Sequence, residues 1–241
     1  MRRVKRLARA VGLGLALLCA GRTVAQERNW HADVEVLTDI PVQVGARLGI
    51  QGPFGIRAST SLGVFPAGYV ELINQVATAT DLYSEKTAEL IRTVLENSLV
   101  WRTHLGIQPF AGWGFYIDGG YSLVVLGGAI GSEVVLSEIS SLLPPPSELI
   151  PDRNYEISST LHMLDLELGW SFLIGQGWVI RTGVGFTGTV AARTRIDPDF
   201  VPILSSAVEE FCRQEESSLN HIYTSHVFMP TLSIAIGYRF F

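Results

Sequence analysis

LSIAIGYRFF, residues 232–241, alternates without a break: Leu232, Ile234, Ile236, Tyr238 and Phe240 share one parity, and Ser233, Ala235, Gly237 and Arg239 share the other. A period of two describes a β-strand with one apolar and one polar face. Chain ends are usually frayed and hydrophilic, so an apolar strand here needs a solvent or a surface to meet. The rest of the sequence has to say which.

The same alternation recurs over residues 30–37, 41–51, 54–64, 99–109, 114–125, 158–173 and 177–192, which with 227–240 makes eight strands. The links between them are unequal. QGP, FAGWG and GQG are tight turns, whereas 66–98, 127–157 and 193–226 are long connections; the short TDIP link after the first strand is the exception. An up-and-down sheet spaced in this way carries short turns at one end and long loops at the other, as transmembrane β-barrels do. An even strand number puts both termini at the short-turn end. Three related stretches, LGIQGPFGI from Leu48, LGIQPFAGWGF from Leu105 and LGWSFLIGQGWVI from Leu168, mark hairpins of one sheet rather than separate domains.

Parity is consistent from strand to strand. Val42, Val44, Ala46, Leu48 and Ile50 oppose Gln43, Gly45, Arg47 and Gly49; Leu99, Trp101, Thr103, Leu105 and Ile107 oppose Arg102, His104, Gly106 and Gln108. Leu164, Leu166, Leu168 and Trp170 oppose Asp165, Glu167 and Gly169 in the same way, and Trp178, Ile180 and Val184 oppose Arg181 and Gly183. A soluble barrel or sandwich turns its apolar face inward and its charges to water, and a membrane barrel does the reverse. The polar face favours the membrane arrangement. It is rich in glycine and serine, carries few charges of mixed sign, and Lys86 is the only lysine after residue 25. Arg47, Arg57, Arg102, Arg181 and Arg239 are therefore expected to meet Glu35, Asp118, Asp165 and Glu167 inside a narrow barrel. Aromatic residues near the short turns, among them Trp30, Phe54, Trp113, Phe172 and Trp178, and a thinner set of Phe65, Tyr69, Trp101 and Tyr155 near the long loops, read as two interfacial girdles.

The first residues read as a secretory signal: a basic MRRVKRLAR, an apolar AVGLGLALLCAG and a small-residue cleavage site at Thr23, Val24 and Ala25. This assigns residues 1–25 to the signal and 26–241 to one barrel domain. The apolar run is too short to cross a bilayer, and Leu17 and Leu18 ahead of Cys19 argue against lipidation. Cleavage removes six basic residues and no acid, so the net charge moves from −5 to −11, a balance that repels nucleic acid. Cys212 is then the one remaining cysteine, which excludes an intramolecular disulfide.

The signal, the eight-strand pattern and the terminal IAIGYRFF together resemble small bacterial outer-membrane β-barrel proteins, the eight-stranded type of the OmpA membrane domain, OmpX and OmpW. The resemblance implies an all-β, closed, antiparallel up-and-down transmembrane barrel of a Gram-negative envelope, with periplasmic termini and no cofactor. It implies that Ile234, Ile236, Tyr238, Phe240 and Phe241 form the signal read by the outer-membrane insertion machinery, although Phe241 lies one residue past the apolar parity. It also implies outer-membrane lipids and lipopolysaccharide as surroundings. The three long loops are expected to carry short amphipathic helices, one in SEKTAELIRTVLENSL with Ala88, Ile91 and Leu95, one in SEVVLSEISSLL with Val135 and Ile139, and one in DPDFVPILSSAVEEFC with Val201, Leu204, Val208 and Phe211. Packing together over the barrel mouth is their expected role.

No catalytic motif is present. His162 with Ser158 or Ser159 is the nearest approach to a hydrolytic arrangement, and His221 and His226 with Cys212 to a metal site; neither spacing matches a known pattern. His104 reads as an interior residue beside Arg102. The leading expectation is a non-enzymatic barrel, envelope-structural or surface-presenting, because eight strands leave a lumen just filled by side chains. The alternatives are a porin-like narrow channel or binding barrel for a small apolar ligand, as in OmpW-like proteins, and a soluble lipocalin-like carrier.

Overall fold

The computed structural model describes residues 30–69, 71, 98–110, 112–131, 154–198 and 205–240. Its strands are β1 (His31–Ile40), β2 (Gln43–Gln51), β3 (Ile56–Val64), β4 (Leu99–Ile107), β5 (Phe115–Gly131), β6 (Asn154–Ile174), β7 (Trp178–Pro198) and β8 (Phe228–Phe240). Each pairs antiparallel with its neighbours in the chain, and β8 returns to β1, so the sheet is a closed eight-stranded up-and-down barrel. A long helix, α1 (Ser205–His226), precedes β8. The apolar C-terminal stretch is the closing strand: Ala32 to Ile40 of β1 pair with Phe240 to Leu232, and Trp178 to Gly188 of β7 pair with Tyr238 to Phe228. Closure leaves no unpaired edge along the seam.

Which way the two faces point decides the environment of the barrel. Arg47, Arg102 and Arg181 are each 2% exposed, while Leu105 is 67%, Leu166 55% and Ile236 51% exposed. Around the middle and the turn end of the barrel charge is inside and hydrocarbon outside, the reverse of the soluble-carrier alternative; Val42, expected on the outward face, is 2% exposed because it lies in the β1–β2 turn and packs on the interior apolar cluster. β1 starts and β8 ends at the tight-turn end. The turns there are built by residues that tolerate positive φ: Gly55 (φ 74), Gly175 (φ 60) and Gly177 (φ 121), with Phe54 (φ 64) the one non-glycine.

The sequence reading differs from the structure at the long-loop end. β5, β6 and β7 run to residue 131, back to 154 and on to 198, well past the expected 125, 158 and 192. The pairing of β6 with β7 shifts between His162 and Met163, where Val190 is an extra residue in β7. This bulge moves the buried positions of β7 from Arg181, Thr187 and Thr189 to Thr194 and Ile196, so a strict period of two reads out of frame above it. The third loop helix is described from Ser205 and extends through the polar stretch to His226; Asp197 and Pro198 belong to β7, and Val201 and Leu204 lie outside the described residues. The first two loop helices, the signal segment and Phe241 lie outside the described residues.

The outer girdle also needs correction. Phe65 is 7% exposed and faces the interior, and Tyr69 packs on the same interior cluster. The side chain of Tyr155 lies outside the description. The exposed aromatics toward this end are Trp101, Tyr121, Phe186 and Phe228, the last two stacked at 6.2 Å. At the turn end Trp30, Phe54, Trp113, Trp170, Phe172, Trp178, Tyr238 and Phe240 all face outward.

Candidate functional site in the lumen

The lumen of an eight-stranded barrel is narrow enough for side chains of opposite walls to touch, and here they form one continuous path of alternating sign. Arg239 Nε lies 2.8 Å from Asp33. Asp33 also holds Arg181, whose Nε reaches Glu35 at 3.1 Å. Glu35 is 3.7 Å from Arg47 Nη1, and Arg47 Nη2 is 3.7 Å from Asp39. Asp39 Oδ2 accepts from Arg102 Nη1 at 2.6 Å and from Gln43 Nε2 at 2.7 Å. Arg102 Nη2 then lies 3.1 Å from Asp165, which also accepts from the hydroxyls of Ser122 and Thr187 and lies 3.6 Å from His104 Nε2. The path visits β8, β1, β7, β2, β4 and β6. It therefore ties walls together that are not neighbours in the sheet.

A second group fills the lumen beside β5. Arg57 lies 3.4 Å from Asp118 and 3.9 Å above the centre of the Tyr116 ring. The Tyr116 hydroxyl donates to Glu167 at 2.6 Å. This ring fits because Gly169 has no side chain: a Cβ there would stand 2.5 Å from the Tyr116 hydroxyl. Chemically, the network consists of acids and guanidiniums that neutralise one another in a closed space. Such pairs add little net stability, but leaving one member alone costs about 3–5 kcal/mol.

Above this polar layer the lumen turns apolar. Val100, Val124, Leu126, Leu161 and Met163 point inward together with Phe65, and α1 lays Cys212, Val208, Phe211 and Leu219 against them. Polar contacts fix the helix. Tyr223 packs against the same cluster, Ser159 bonds Thr194 at 3.0 Å, and Glu216 accepts from the Ile196 amide at 2.9 Å. Burial pushes the Cys212 thiol up to about 11. Glu215, 3% exposed, has Oε2 buried without a hydrogen-bond partner, and burial moves its carboxyl above the ordinary range.

Of the residues expected in the interior, Arg47, Arg57, Arg102, Asp118, Asp165, Glu167 and Arg181 are buried; the Arg239 side chain is 17% exposed at the turn end. Arg47, Arg102, Asp165, Arg181 and Arg239 share the long path. Arg57 and Asp118 form a separate pair, and Glu167 joins it through Tyr116. The expected network lacked Asp33, Asp39 and Tyr116. The sequence reading ended the first strand at residue 37, which put Asp39 in a link, although the alternation Asp33, Glu35, Leu37, Asp39 continues through it. Ile234, Ile236, Tyr238 and Phe240 face outward on β8. Ser159 is buried on the inner face while His162 faces outward and hydrogen-bonds Tyr121, so this pair does not converge. Among the described residues no three metal-ligating side chains come together: Cys212 faces the apolar cluster, His221 is exposed, and the His226 side chain lies outside the description.

No family model matches the chain, and no curated protein matches it. Solved structures similar to it include the N-terminal β-barrel domain of Pseudomonas aeruginosa OprF, at 7% identity over 89% of this chain and 99% of that one with a TM-score of 0.38. A major outer membrane protein from Thermus thermophilus is 10% identical over 88% and 100% of the two chains, with a TM-score of 0.43. Acinetobacter baumannii CarO is 11% identical over 87% and 97%, with a TM-score of 0.35. Likeness at this level carries no functional argument, and the fold assignment rests on the strand pairing itself.

Proposed function

We propose that this chain is a non-enzymatic, integral β-barrel of a bacterial outer membrane, with its termini on the periplasmic side, that serves the envelope structurally and presents its outer wall and α1 at the surface. The observation that carries this reading is the reversed burial, with arginines and aspartates in the lumen and a continuous belt of leucine, isoleucine and valine outside. Exposed apolar surface of this extent needs hydrocarbon rather than water around it, and aromatic side chains at both rims suit the headgroup level. Insertion is assigned to the closing strand, with Ile234, Ile236, Tyr238, Phe240 and Phe241 as the stretch offered to the insertion machinery. Outer-membrane lipids and lipopolysaccharide are the proposed surroundings.

The lumen is closed twice, by the ion-paired layer and by the apolar layer under α1, so free passage of solutes is not expected. The purified barrel, recovered from the outer-membrane fraction with detergent only, should give no open-channel current in planar bilayers. Steady currents would overturn the closed reading. The apolar mouth favours a second reading, binding or passage of small apolar molecules, which requires α1 to move aside. Saturable binding of a fluorescent apolar probe to the barrel, lost when α1 is cross-linked to β7, would support that reading instead.

A further inference from the structure

Charge on the outward face of the described strands is confined to one place. Strands β1 to β5 and β8 carry none, and Glu156, Arg193, Arg195 and Asp197 all lie on the outer extensions of β6 and β7. The two arginines are not equivalent. Arg195 is paired with Asp197 at 2.7 Å, whereas Arg193, also exposed, has no hydrogen-bond or ion-pair partner among the described residues.

Arg193 is also the charge nearest the apolar belt. In the β6–β7 register it stands opposite Thr160 and one row above the Ala191 and His162 pair, a step of about 7 Å along the strands. His162 faces outward and hydrogen-bonds the Tyr121 hydroxyl of β5. A guanidinium, an imidazole and two hydroxyls thus share one outward patch across three strands. Immediately below it are exposed Leu164, Val190, Leu166 and Phe186.

We infer that this patch binds the phosphate of a lipid of the outer leaflet, with Arg193 as its principal ligand and Thr160 and His162 beside it. The inference rests on the membrane reading above. Guanidinium suits phosphate because it combines charge with a fork of donors. The belt beneath favours an amphiphile over a free anion, since one molecule covers Leu164 and Val190 with acyl chain while its headgroup reaches Arg193. The long outer extensions of β5, β6 and β7 supply the height that this contact needs, and the shorter strands end in apolar residues such as Val64 and Leu99. The site is therefore on one side of the barrel only.

The barrel is reconstituted in phosphatidylcholine vesicles holding a small fraction of bisphosphorylated lipid A, or of the same lipid with its phosphates removed. Bound lipid is counted by native mass spectrometry after release into detergent, and heat-modifiable migration in gels checks insertion in each sample. The wild type should retain the phosphorylated lipid, with occupancy about fivefold lower for the dephosphorylated lipid and for Arg193→Gln. Arg213→Gln, on the exposed face of α1, should match the wild type, and millimolar inorganic phosphate should leave the adduct in place. Equal retention by an inserted Arg193→Gln barrel overturns the site alone. Displacement by inorganic phosphate overturns the lipid as occupant. A chain that does not insert overturns the membrane reading together with the site.

Discussion

Asp39 joins two arginines of the lumen, since it faces Arg47, Arg102 and Gln43 at once. Asp39→Ala should lower the unfolding free energy in lipid vesicles by about 3–5 kcal/mol, because two guanidiniums lose a buried partner. Adding Arg102→Met should recover part of that loss, and urea titration followed by tryptophan fluorescence reads both. Glu215 offers a test at the mouth. Its carboxyl is moved above the ordinary range by burial, so the folded state favours the protonated form. Docking of α1 is then strongest below the ordinary carboxylate range and weakens as pH rises through the raised one. Hydrogen-exchange protection of α1 amides should fall over that interval in the wild type and stay level in Glu215→Gln. A fall of equal size in both proteins would assign the effect to another group.

Among the elements, β8 shows how closely the seam is fitted. A Cβ at Gly237 would stand 2.1 Å from the backbone oxygen of Val34 and 2.6 Å from Glu35 Cγ. The nearest atom is backbone, which has no rotamer to change, so Gly237→Ala must shift β1 against β8 at a cost of about 1–3 kcal/mol. Gly119→Ala, whose nearest neighbour would be 4.0 Å away, should be nearly neutral in the same gel-migration and urea assays. β5 to β7 teach a different lesson about reading strands. Inside the belt their alternation was legible, because each face meets one solvent. Above it both faces meet polar or protein surroundings, the bulge at Val190 changes the frame, and the pattern loses its physical cause.

For the whole molecule, the direction of the apolar face makes a depth-dependent prediction. Leu166→Arg, in the middle of the outward belt of β6, should destabilise the barrel in vesicles by about 2–4 kcal/mol, while Ala191→Arg, near the outer rim, should cost about 1 kcal/mol or less. Equal costs at the two positions would contradict a bilayer around the belt. The same contrast explains why the barrel accepts five arginines inside. Each is surrounded by carboxylates or by the Tyr116 ring, and small residues such as Gly169 leave room for the side chains.

The sequence by itself determined the strand count, the parity of each strand inside the apolar belt and the asymmetry of the two ends, because a period of two reports directly on one residue facing hydrocarbon and the next facing the lumen. It also indicated which arginines and acids share the interior. Their pairing was decided by tertiary structure alone: Arg239 meets Asp33 and Arg102 meets Asp39 only when closure brings distant strands across a narrow lumen. The outward patch at Arg193 likewise depends on strand register above a bulge, and register is a property of the assembled sheet that no single strand carries.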